Sequence, residues 1–142
     1  MMPDPVALFA TVVLLFPMGY FLLAAPAFLL VSLEIQPVTQ LLRGMFSSYF
    51  LMVAIAGAVG TVAVAMTGRL LVALAIALIA AFAVWARGWF LQRWDAQLRA
   101  RDAGDADAVR RLRRLHWGGM LCNAVELAVI LISIPYVVVA PA

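Results

Sequence analysis

Between Arg110 and Ser133 the chain collects most of the side chains able to do chemistry. They are Arg110, Arg111, Arg113 and Arg114, the single histidine His116, the single cysteine Cys122, then Asn123 and Glu126. From Trp117 onward the segment reads as a membrane helix, so Glu126 is a carboxylate inside an apolar stretch. On a helix, His116, Asn123, Glu126 and Ser133 follow three- and four-residue steps and share one face, with Cys122 off it. If the helix enters the bilayer near Leu115, Glu126 follows after about 11 residues, or roughly 16 Å, close to the midplane. A bare charge at that depth costs about 3 kcal/mol or more, so Glu126 is expected to face the bundle interior, either paired or neutral.

Depth selects its partner. Arg87 belongs at the same interface as His116, roughly 15 Å along the axis from Glu126, beyond reach of its side chain. Tyr20 lies in the middle of the first apolar run, and Pro26 frees the Leu22 carbonyl nearby. Glu126 is therefore expected to be neutral and to hydrogen-bond toward Tyr20 or the kinked first helix. The ligand-binding candidates are Glu126, Asn123, Tyr20 and His116. Asn123 also suits helix-to-helix bonding, and His116 suits a snorkelling or capping role at the interface.

Cofactor chemistry is weakly supported. His116 with Arg113 and Arg114 would suit a haem and its propionates, but no second axial ligand is evident. Cys122 with Met18, Met45, Met52 and Met66 would suit copper, yet the spacing does not repeat. Neither haem nor copper is expected, and His116 is the one weak metal candidate. One cysteine excludes an internal disulfide and is too few for a thiolate-built metal site. Glu-x-x-His pairs, Gly-rich phosphate loops and Ser/His/Asp arrangements are all missing from the sequence, so no motif supports an enzyme.

These residues need a frame. The chain has 142 residues, 67% of them hydrophobic and 12% charged, with mean hydropathy +1.08. A soluble domain of this size has no core large enough for that much apolar surface, so lipid must solvate much of it. The expected fold is all-α, four transmembrane helices in an antiparallel bundle and a single domain, with helices near 6–33, 45–66, 70–103 and 105–139. Small residues at Gly57, Thr61 and Ala65, and at Ala73, Ala77 and Ala81, read as packing seams. Trp85 and Trp89 mark an interface. Beyond them Leu91, Trp94 and Leu98 keep helical spacing, Gly104 breaks the helix, and Asp105 and Asp107 suit the next N-terminus. Val109, Leu112 and Leu115 then fold back, so helices 3 and 4 extend into a cytoplasmic helical hairpin.

All ten cationic residues are arginines, and eight lie between Arg87 and Arg114. The 34–44 connection adds Arg43, while the opposite side carries only Arg69. The positive-inside rule places both Arg-bearing connections in the cytoplasm and both termini outside a bacterial-type inner membrane. Arg110, Arg111, Arg113 and Arg114 thus set topology and meet lipid headgroups. Nucleic acid is not an expected partner. The Ala25-Pro26-Ala27 triplet has the form of a signal-cleavage site, but the apolar run is too long and lacks a basic start, so it is kept as helix 1.

Gly19 with Ala25-Pro26-Ala27-Phe28, Met45-Phe46 leading to Tyr49-Phe50, and Leu115-His116 followed by Leu121-Cys122-Asn123 resemble a four-helix membrane family of unknown function, related to the transmembrane protein linked to cisplatin resistance. Glu34 and Pro37, with Leu115-His116, also resemble the anthrone-oxygenase-like membrane family, although Gly118-Gly119 stands where that family would have an Arg. The expected function is a non-enzymatic accessory or oligomeric subunit, a homo-oligomer or part of a larger membrane complex. It would hold a lipid or small hydrophobic ligand between helices 1 and 4, beside Glu126. The alternative is a membrane oxygenase or redox protein acting on an aromatic or quinone-like substrate through His116 and Glu126.

Overall fold

A computed structural model describes residues 4–139. It contains four long helices: α1 over Pro5–Ala24, continued by a 3-10 segment Ala25–Leu30, then α2 over Gln36–Met66, α3 over Leu70–Asp102 and α4 over Ala108–Val138. All four are long and apolar enough to cross a membrane.

Local chemistry sets the ends of these helices. Asp4 caps α1, its carboxylate accepting from the N–H groups of Val6 at 2.9 Å and Ala7 at 3.3 Å. The helix passes through Pro17 but tightens to 3-10 geometry at Ala25, so the first span is two segments where one was expected. The second begins at Gln36, well before Met45, with Pro37 in its first turn, where a missing N–H costs nothing. Gly68 and Gly104 hold positive φ, 81° and 91°, just past the ends of α2 and α3. At the second, the Asp105 N–H reaches back to the Ala100 carbonyl and the Gly104 N–H to that of Arg101. This double closure satisfies the last carbonyls of α3 and turns the chain.

The acidic pair after Gly104 departs from the expected cap. Neither carboxylate bonds an N–H of α4: Asp107 meets Arg110, while Asp105 accepts from the Asp107 N–H and from Arg111. The Asp107 N–H, then the Arg111 guanidinium, hold the Asp105 carboxyl below the usual carboxylate range. A depressed carboxyl stabilises the fold above its unfolded pKa, near 3.8, and loses that contribution as pH falls through the lower folded value. Acidification below about pH 4 should therefore loosen the α3–α4 turn. Thermal unfolding of wild type should show this fall, and Asp105→Asn should show less of it.

Apolar packing extends past the tryptophans. Leu91, Trp94 and Leu98 of α3 join Val109, Leu112 and Leu115 of α4 and Leu42 of α2 in one cluster. Arg43 clasps Asp95 through two bonds of 2.6 and 2.7 Å, and Arg101 reaches Thr39 and the Leu33 carbonyl. At the other end Arg69 bonds Asp4 and the carbonyls of Tyr136 and Val137.

Both small-residue seams are shifted from the expected stripes. Gly57 does pack on α3, where a β-carbon at that position would stand 2.8 Å from the Ala80 Cβ. However, the α3 side of the seam is Ala73, Ile76, Ala80 and Ala83, while Ala81 is exposed. A strict four-residue step drifts around a 3.6-residue helix, so alternating three- and four-residue steps are needed to stay on one face.

Candidate functional site

An aromatic hub in α2 sets the position of α4. The Phe46 ring stacks on Phe90 at 4.1 Å, meets Phe21 edge-on at 4.9 Å, and meets the His116 ring edge-on at 5.9 Å. Gly119 makes room for it: a β-carbon there would run into the Phe46 ring, with Cζ at 2.8 Å. Gly118, one residue earlier, would meet nothing. The two adjacent glycines therefore face different surroundings.

Three side chains of α4 hold the end of α1 and the segment after it. His116 Nε2 donates to the Ala25 carbonyl at 3.0 Å, Asn123 Nδ2 donates to the Met18 carbonyl at 3.2 Å, and Arg113 donates to the Phe28 and Val31 carbonyls. A carbonyl only accepts, so Nε2 carries a hydrogen in this bond. His116 is fully buried in the bundle, so it does not snorkel, and it serves a helix end through the Ala25 carbonyl that follows α1. Among the described residues, His116 Nδ1, Asn123 Oδ1 and the Trp94 indole nitrogen are buried without a partner.

Glu126 is not part of this set. Its Oε2 accepts from the Tyr49 hydroxyl of α2 at 3.2 Å. The expected Tyr20 contact is absent, since Tyr20 is 64% exposed and faces away from the core. Ser133 bonds its own helix, at the Ile130 carbonyl. The physical reason is angular: ten residues separate His116 from Glu126, about 80° around the helix, enough to point them at different neighbours. Seven residues separate His116 from Asn123, only about 20°, and both meet α1. Tyr49 was not among the partners weighed for Glu126, and a helix starting near Met45 puts it only one turn in. Beginning at Gln36 puts it about 20 Å along α2.

Outside this core a groove of about 410 Å³ opens between α3 and α4. Its wall includes Phe82, Trp85, Trp89, Gly118 and Cys122, and its rim carries Arg93, Gln97, Arg111 and Arg114. A neighbouring, more open depression that shares Phe82, Gly118 and Cys122 with it is lined by Glu126 as well. Glu126 therefore opens toward α3, whereas the depression between α1 and α4 is lined by Phe21, Leu22, Met120 and Asn123 without it.

The arginines divide by task. Arg113 is spent on backbone carbonyls, Arg110 on Asp107, and Arg111 on Asp105 and on the Gln97 carbonyl oxygen at 2.6 Å. Arg114 makes no hydrogen bond or ion pair among the described residues, and Arg93 makes only a cation–π contact, its guanidinium carbon 5.2 Å from the Trp89 ring centroid. Arg93 joins the rim although the charge run in the sequence points only to residues 110–114. Its four-residue step from Trp89 was the available signal. Among the described residues, no three His, Cys, Asp or Glu side chains come together as a metal site would require. No family model, curated protein or solved structure matches the chain.

Proposed function

We propose that the protein is a non-enzymatic membrane subunit that holds a lipid or similar hydrophobic ligand in the groove between α3 and α4. One observation carries this reading: an apolar, aromatic-walled groove of about 410 Å³ that ends in a basic rim. That size lies within the range of about 300–1,000 Å³ usual for small-molecule sites. In the proposed setting the helices cross the inner membrane antiparallel. The α3–α4 projection and the 87–116 arginines lie in the cytoplasm, with both termini outside, supported by the arginine count. Oligomer or larger-complex assembly belongs to the same proposal. The likeness to the four-helix family belongs to the same proposal; the segments that carry it also supply Phe46, Tyr49, His116 and Asn123 to the core.

A photoactivatable alkyl diazirine tests the groove in reconstituted protein. Adducts mapped by mass spectrometry should concentrate on Phe82, Trp85, Trp89 and Cys122. The outward-facing Val62 and Leu71 should carry far fewer. Gly118→Trp, which enters open space, should fill the groove and sharply reduce the adducts. Equal labelling of groove and outer faces would remove the basis for a ligand site here.

A further inference from the structure

We infer that the occupant of the α3–α4 groove is a lipid with a phosphate-monoester headgroup, its phosphate held by Arg93 and Arg114 and one chain lying along Trp85 and Phe82. The inference rests on the groove reading and adds the headgroup class. Three guanidiniums stand on the rim, but they are not equivalent. Arg111 is already matched by Asp105, so its charge is neutralised locally. Arg93 and Arg114 carry no counter-charge among the described residues, leaving two positive charges at the mouth of an apolar groove.

The donor geometry is suited to phosphate. Arg93 sits over Trp89 as a cation–π pair and makes no hydrogen bond among the described residues, so its N–H groups remain free to donate. Gln97 accepts from Arg111 through its carbonyl oxygen, so its amide NH2 remains a further donor on the same rim. A carboxylate or a phosphodiester brings one negative charge. A phosphate monoester brings about −1.5 to −2 at neutral pH and three acceptor oxygens, matching two open guanidiniums and an amide. Below the rim, Trp89, Trp85 and Phe82 form a row with ring centroids 6.3 and 5.7 Å apart, an apolar track leading from the arginines into the membrane.

The test uses the full chain in detergent, with native mass spectrometry after adding equal amounts of dioleoyl phosphatidic acid, phosphatidylglycerol and phosphatidylcholine. One phosphatidic acid per chain should be retained, roughly tenfold over phosphatidylglycerol, as charge-assisted bonds to a second negative charge imply. Joint replacement Arg93→Gln and Arg114→Gln should bring the two lipids level, while Arg110→Gln, already paired with Asp107, should leave the preference intact. Arg93 and Arg114 are exposed, so neither change threatens folding. Equal retention in wild type, or a preference that survives the double replacement, would overturn the headgroup assignment. Diazirine adducts that still concentrate in the groove would leave the groove reading standing. If they spread evenly, that reading falls as well.

Discussion

Gly119→Ala will destabilise the bundle by about 1–3 kcal/mol, the usual cost of one carbon forced into a packed core. The added atom falls on the Phe46 ring, and that ring is closely packed against Phe21 and Phe90. Gly118→Ala meets open space, and its effect will be neutral or a gain of up to ~1 kcal/mol from helix propensity. The two positions are neighbours in one helix and the substitution is the same, so any difference in response reports their different surroundings. Denaturant unfolding in detergent micelles, followed by far-UV circular dichroism, distinguishes them. Equal responses would show that α4 does not present Gly119 to Phe46.

Phe46→Ala will cost about 2–3 kcal/mol, less than the 3–5 kcal/mol of a comparable change in a soluble core. The unfolded reference in a bilayer or micelle already surrounds the ring with apolar atoms, so the transfer contribution is small. The cavity contribution remains. The loss removes the surface on which Phe21, Phe90, Trp94 and His116 meet. Combining Phe46→Leu with Gly119→Ala should recover part of the Gly119→Ala loss, because the flat ring that the new carbon strikes is gone. A strictly additive pair of losses would argue against that contact.

The architecture was largely legible because four apolar runs of membrane length leave few alternatives. Gly104 was readable as a break, and the structure supplies a reason the sequence reading did not give, a positive φ there and at Gly68. The start of α2 was not, because Gln36, Thr39, Gln40 and Arg43 look like a polar connection when taken alone. Their polarity is used by other helices: Thr39 accepts from Arg101 and Arg43 pairs with Asp95. Such pairings join residues 52 and 62 positions apart, and no local pattern carries them. The same limit applied at Glu126. Its place on an apolar helix was readable from the sequence, but its neighbour depended on where α2 began. Of the candidate residues, His116 and Asn123 were correctly placed together, Glu126 was assigned to the wrong helix, and Tyr20 faces away from all three.

The bonds from His116, Asn123 and Arg113 to main-chain carbonyls have a mechanical consequence. Carbonyls recur every 1.5 Å along a helix axis, but this trio meets its targets in only one register, so sliding the first span along α4 breaks every bond at once. The two elements therefore transmit force as a single beam. The seam between α3 and α4 is tied at its ends instead, by Arg111 with Gln97 beside the Gly104 turn and by Arg69, at the start of α3, with the Tyr136 and Val137 carbonyls of α4. Between those ends the described residues show no polar bond from α3 to α4, so strain applied across the molecule will be taken up along the middle of that seam, where the groove lies.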